Sequence, residues 1–151
     1  MKVKKLRVKI NLKERKNKMK GFAAKATRAL NIGSNVNASD NSGARIVRIV
    51  SVKGGKTRRG RQQYAKIGDW VKVSVRKGDP KMKGEVFDAV VIRVKKPYKR
   101  NTGERVMFID NAVAPLKDEK GNPKGTQIKG PIAKEAGERW PFVNKIARFV
   151  L

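Results

Sequence analysis

The sequence contains no cysteine and no histidine. Without cysteine it has no disulfide, no thiolate nucleophile and no cysteine metal site, a composition that fits a reducing compartment. Without histidine it lacks the commonest general base and the commonest metal ligand. Acids are scarce too, 12 Asp and Glu in 151 residues, and nothing gathers carboxylates into a pair suited to acid–base work. No apolar run approaches the ~20 residues of a membrane-spanning helix, and no secretory pattern opens the chain. Together these absences argue against an enzyme, a metal or other cofactor, and a membrane partner, and they favour a soluble intracellular protein.

What the chain has is positive charge. Lys and Arg number 39, for a net charge of +27. Self-repulsion on that scale disfavours a compact state unless a counter-charge is present, and the natural one is phosphate. The length suits one compact domain with a sizeable core, plus a tail. The tail is Met1 to Lys20, with ten Lys or Arg and one acid, Glu14. Its Leu6, Val8, Ile10 and Leu12 alternate with polar residues, a period-two pattern that could add a strand, while its charge fits a segment disordered until it meets RNA. Lys20 to Asn31 reads as an irregular lead-in. The expected division is a basic extension and lead-in over 1–30 and a barrel domain over 31–151.

Strand patterns fill the region from 34 to 116. Asn35 to Ser39 alternates and meets four turn formers, Asp40-Asn41-Ser42-Gly43, from which Ala44 to Val52 leaves as a second strand. Val71, Val73 and Val75 share one face of a half-buried strand from Trp70 to Arg76. Val86 to Val94 is nearly continuous and β-branched, so it reads as a central strand covered on both faces. Val106 to Ile109 is expected to return to the core, and Asp110 to Leu116 is the last strand. Pro131 and Pro141 are placed to open two short helices, Ile132 to Glu138 and one running through Ala147, which lid the barrel with Trp140 in the core. The fold class is therefore mainly β: a small five-stranded antiparallel barrel with two short C-terminal helices and a basic N-terminal extension. Val71, Val73, Val75, Val90, Ile92, Val106 and Phe108 are expected in one core.

Two segments concentrate cations. Lys53 to Lys66 holds Lys53, Lys56, Arg58, Arg59, Arg61 and Lys66 without one acid, among flexible glycines. Solvated loops normally mix signs, whereas a loop that follows a nucleic-acid backbone uses glycines and Arg forks. A nucleotide-binding phosphate loop is excluded, since neither its Gly-Lys-Ser/Thr ending nor a following helix is present. Lys95 to Arg105 carries Lys95, Lys96, Lys99, Arg100 and Arg105 against Glu104, turns at Gly103, and reads as a hairpin tip that offers these cations and the Tyr98 ring to a polyanion.

Asp40 to Arg45, the hairpin from Ala89 to Asn111, and Gly125-Thr126-Gln127-Ile128-Lys129-Gly130-Pro131 together resemble the universal family of large-subunit ribosomal protein fourteen. Pro131-Ile132-Ala133-Lys134-Glu135 with Trp140 is similar to its archaeal and eukaryotic branch. The likeness covers about residues 30 to 151; Met1 to Lys18 lies outside it, and Met19 could be an alternative start. Ala114-Pro115 stands where two aliphatics are usual, which suggests a last strand that is shortened or at an edge.

The resemblance implies a structural constituent of the cytoplasmic ribosome that binds large-subunit rRNA and joins bridges to small-subunit rRNA. Its implied partners are these RNAs, neighbouring large-subunit proteins and a subunit anti-association factor. Candidate rRNA contacts are Arg45, the two cation sets above and Tyr98. Carried over by motif, Arg76, Lys77 and Lys81 in one loop and Gly125, Thr126 and Gln127 in the connector face the small subunit. A free barrel that chaperones single strands is the competing reading, but it needs aromatic stacking platforms and the chain is only 6% aromatic. For Gly125 to Gln127, a surface connector that merely reaches Pro131 is the plain alternative.

Overall fold

The computed structural model describes residues 24–54 and 62–151. Its strands are β1 (Ala24–Lys25), β2 (Leu30–Asn31), β3 (Asn35–Ala38), β4 (Ala44–Val52), β5 (Tyr64–Ala65), β6 (Trp70–Gly78), β7 (Val86–Arg93), β8 (Tyr98–Arg100), β9 (Arg105–Val106), β10 (Ala112–Pro115), β11 (Ile128–Ile132) and β12 (Ala147–Val150). Two helices, α1 (Lys134–Arg139) and α2 (Pro141–Lys145), lie between the last two strands.

β10, β3, β4, β6 and β7 close a barrel in that order. Alternation drives it. Val47 and Ile49 of β4 oppose Val75 and Val73 of β6, and all four are buried, while Arg48 and Lys72 face out. Register shifts in the β4–β6 pairing bend these strands around the core. An odd number of strands cannot alternate in direction all the way round a ring, so one seam has to be parallel. Here it is β10 against β3, with Ala112 opposite Asn37 and Val113 opposite Ala38. β10 is short, as Pro115 suggested, but it is not an edge, because β7 flanks its other side.

Of the expected core, Val71, Val73, Val75, Val90, Ile92 and Phe108 are buried and Val106 is half-buried. β7 is covered on both faces, since successive residues Ala89 to Arg93 are all buried. The return from the hairpin differs from expectation. Met107 and Ile109 stay 68% and 93% exposed, while Phe108 is buried and Val106 packs partly against the core. This stretch is too short and irregular to bury both faces, so one side chain in two enters.

The hairpin is not a simple continuation of the barrel either. β8 and β9 form a separate three-stranded sheet whose third member is β1, with Ala24 opposite Arg100. The lead-in, expected as irregular, thus supplies two strands: β1 there and β2 against β5. β2 crosses the expected boundary at residue 30, and Leu30 is buried in the core.

Beyond the barrel, Pro131 does not open a helix. It lies in β11 opposite Phe149 of β12, and α1 begins three residues later. Pro141 does open α2, which ends at Lys145. The Arg148-Phe149-Val150 stretch prefers an extended chain, and it pairs with β11 in parallel. Trp140 is buried, stacks edge-on to Trp70 at 5.7 Å and donates its indole N–H to the Gly68 carbonyl at 2.9 Å, which docks the helices on the barrel.

Candidate nucleic-acid interface

The turn between β3 and β4 organises the surface. The Ser42 hydroxyl donates to Asp40 Oδ1 at 2.8 Å, and Gly43 takes φ +96°, a conformation that side-chain-bearing residues rarely adopt. Asp40 is buried. Burial pushes its carboxyl above the ordinary value, partly offset by the Ser42 hydrogen bonds.

Two other segments dock on this turn. The Asp79 amide donates to the Gly43 carbonyl at 3.0 Å, anchoring the Arg76–Lys81 loop. On the other side, Asn41 Oδ1 accepts from the Thr126 amide at 2.8 Å and from the Gln127 amide at 3.3 Å, while Asn41 Nδ2 donates to the Thr126 hydroxyl at 2.8 Å. The two segments that the motif pointed toward the small subunit therefore share one support.

Gly125 departs from expectation. It is buried, and a Cβ there would lie 2.7 Å from Asn41 Oδ1 and 2.8 Å from the Asp40 side chain. Its missing side chain serves internal packing, not close approach from outside. Thr126 and Gln127 are exposed.

Arg45, Arg76, Lys77 and Lys83 line an open depression of about 500 Å³ together with Ile46 and Gly78. The pairing of β4 with β6, which sets Ile46 opposite Lys77 and Ala44 opposite Gly78, brings Arg45 beside the base of the Arg76–Lys81 loop. Lys81 is exposed on the adjoining turn. Lys83 is not among the residues expected from sequence; it follows two residues after the end of the Arg76–Lys81 loop. Four cations at one depression repel one another, and an approaching phosphate chain relieves that repulsion.

Three expected RNA contacts are engaged inside the protein. Lys53 Nζ sits 3.1 Å from both Asp88 Oδ2 and Glu119 Oε1 and 3.6 Å from the centre of the Trp70 ring. Desolvation works against its charge, but the hydrogen bonds to Glu119 and Asp88 outweigh it and the ammonium is held above its ordinary value. Tyr98, expected at an exposed tip, is 1% exposed and donates to Glu135 Oε2 at 2.6 Å. Burial first and Glu135 second push its phenol up. Arg100 donates to Glu135 Oε1 at 2.6 Å and to the Leu151 carbonyl at 2.6 Å, and Glu135 raises its pKa. Burial alone would raise the Glu135 carboxyl, yet the hydrogen bonds from Arg100 and Tyr98 prevail and hold it below the usual range.

Among the described residues, the other expected contacts face solvent at least in part. Lys95, Lys96, Lys99 and Arg105 are exposed around the hairpin, and Lys66 is half-exposed. Lys66 and Arg28 both approach the Tyr64 ring, to 5.6 and 4.5 Å from its centre. Arg28 lies in the lead-in, which reads as irregular, and Tyr64 lies in the acid-free loop but is not itself among the expected contacts. Lys56, Arg58, Arg59 and Arg61, like the alternating residues of the extension, lie outside the described residues.

Comparison with known proteins gives a consistent picture. Residues 29–151 match the family described as ribosomal protein L14p/L23e. Curated relatives called large ribosomal subunit protein uL14 align over 133 residues, 88% of this chain and 100% of each relative. The protein from Nanoarchaeum equitans is 53% identical, that from Thermoplasma acidophilum 44% and that from Methanocorpusculum labreanum 46%.

Proposed function

The chain belongs to the ribosomal protein L14p/L23e family, and from that premise we propose that it is a structural constituent of the large ribosomal subunit in the cytoplasm, binding large-subunit rRNA and contributing to bridges with small-subunit rRNA. The observation that supports this best is the depression where Arg45, Arg76, Lys77 and Lys83 converge without an acid among its lining residues. Such a surface suits a phosphate backbone, and its open shape suits a polymer better than a small enclosed substrate.

Arg45, Lys66, Lys95, Lys96, Lys99 and Arg105, with Lys56, Arg58, Arg59 and Arg61 of the acid-free loop, are the rRNA contacts in this reading. Arg76, Lys77, Lys81, Thr126 and Gln127 face the small subunit. Neighbouring large-subunit proteins and a subunit anti-association factor are the remaining partners. Residues 1–18 act as a basic RNA-seeking extension, separable from the barrel because the five strands that close it among the described residues lie within 35–115. Deleting Met1 to Lys18 should leave cooperative thermal unfolding intact. Its loss would make the extension part of the core.

The bridge assignment is tested with Thr126→Glu. A carboxylate placed against small-subunit phosphate should weaken subunit association several-fold at low magnesium, while large subunits still assemble on the Arg and Lys contacts elsewhere. Normal joined ribosomes in that variant would overturn the assignment.

A further inference from the structure

Resting on the bridge reading above, we propose that Asn41 is the positioning residue of the intersubunit contact, with its side-chain amide setting the height and direction in which Thr126 and Gln127 are presented. Three hydrogen bonds from one side chain carry this. Asn41 Oδ1 takes the Thr126 and Gln127 amide protons at 2.8 and 3.3 Å, and Nδ2 caps the Thr126 hydroxyl at 2.8 Å. Backbone amides in an exposed connector would otherwise be served by water, leaving the two residues free to wander. Asn supplies what the joint requires, an acceptor for two converging N–H groups and a donor for a hydroxyl on one planar head. With its proton acceptor role committed to Asn41, the Thr126 hydroxyl has its own proton left to donate outward, toward a phosphate or sugar oxygen.

The packing beneath the joint tightens it. Gly125 lies so close to Asn41 and Asp40 that the connector cannot slide inward, and Asp40 pairs with Ile128 in an isolated antiparallel bridge just beyond it. The same turn holds the Arg76–Lys81 loop through the Gly43 carbonyl and the Asp79 amide at 3.0 Å. Both arms of the contact are thereby referenced to four residues, and Asn41 is the member that grips the connector by its side chain.

The test uses ribosomes carrying the full-length protein and reads subunit association across a magnesium series. Asn41→Ala should lower the association constant about tenfold, the effect of one or two ordinary hydrogen bonds no longer holding a contact in place. Gly125→Ala, which drives a Cβ to 2.7 Å from the Asn41 Oδ1 that holds the connector, should do much the same. Assembly of the large subunit should stay near wild type in both, as should the melting midpoint of free Asn41→Ala, while Gly125→Ala should melt lower because its Cβ overlaps the Asp40 side chain; amide hydrogen exchange at Thr126 and Gln127 should accelerate in both. In a Thr126→Glu background, Asn41→Ala should add little, because both act through one contact. Normal association in Asn41→Ala and Gly125→Ala beside weakened association in Thr126→Glu would overturn the positioning role and leave the bridge reading standing. Full additivity in the double variant, or loss of large-subunit assembly in both Asn41→Ala and Gly125→Ala, would overturn it too, reducing Asn41 to a packing residue. Normal association in Thr126→Glu itself would remove the bridge reading and this inference with it.

Discussion

Arg93→Met is expected to cost about 3 kcal/mol of folding stability, the lower end of the range for breaking a buried ion pair. Arg93 is 7% exposed and spends every donor it uses on the junction between the barrel and the C-terminal arm. Nε and Nη2 reach the two Asp110 carboxylate oxygens at 2.7 and 3.0 Å, Nη2 also reaches Ser39 Oγ at 2.5 Å, and Nη1 serves the Lys129 and Pro131 carbonyls at 3.0 and 2.9 Å. Methionine keeps much of the stem's volume but no donor, so two carbonyls, the Ser39 hydroxyl and the Asp110 carboxylate lose the guanidinium together. The lower end applies because the Asp110 side chain is 34% exposed, and water recovers part of its loss.

The pH dependence should change with it. The Arg93 hydrogen bond, opposed by burial and helped by the Arg93 charge, holds the Asp110 carboxyl below its ordinary value. A depressed carboxyl contributes stability that is present above the ordinary aspartate pKa and is lost as pH falls through the lower folded value. The variant should therefore lose less stability between neutral and acid pH than the wild type. Urea midpoints at two pH values check both statements; equal midpoints for the two proteins at neutral pH would show that the guanidinium network adds nothing.

Replacing Arg45, Arg76, Lys77 and Lys83 together by glutamine should flatten the salt dependence of rRNA binding measured with the RNAs of both subunits present, since the depression lies between the large-subunit and small-subunit contacts of this reading. Each phosphate contact adds roughly 0.7 to 0.9 to the slope of log affinity against log salt, so four contacts account for about 3. Between about 50 and 200 mM salt the wild type should then lose nearly a hundredfold more affinity than the variant. The informative control is Lys53→Gln. Lys53 is equally cationic in sequence, but its charge already faces Asp88 and Glu119, so the slope should not move. Arg58, Arg59 and Arg61, neutralised as a group, give a second and independent reduction. An unchanged slope in the four-residue variant would mean that the depression faces solvent.

The contrast between Lys53 and Arg45 shows what could be read from the chain and what could not. Barrel strands were legible because their signal is local: Val71, Val73 and Val75 alternate whatever lies across from them, and the β7 run is too apolar to face water. Positive charge was legible as a total, and so was its clustering in loops. Which individual cation stays free was not, since that depends on partners distant in the chain. Arg100 and Tyr98 look like the rest of the basic hairpin until Glu135 arrives from α1, and Lys53 looks like the rest of its loop until Asp88 and Glu119 close on it. Gly125 has the sequence context of a surface glycine, because nothing nearby in the chain reveals that Asp40 and Asn41 cover it. β12 was missed for a similar reason: its pairing with β11 supplies the preference that four residues alone do not express strongly.

The odd strand count has a consequence for how the molecule is made. Because the one parallel seam joins β3 to β10, the ring cannot close until the chain has been synthesised beyond Ala112 and Val113, and a nascent chain carries two open strand edges up to that moment. Closure of this kind joins distant residues and is slow. Open edges are templates for misplaced pairing with a neighbouring chain. Two such chains, each carrying a dense positive charge, repel one another at the distance where edges would meet. The charge that burdens the finished fold in the absence of phosphate thus guards the unfinished one against aggregation.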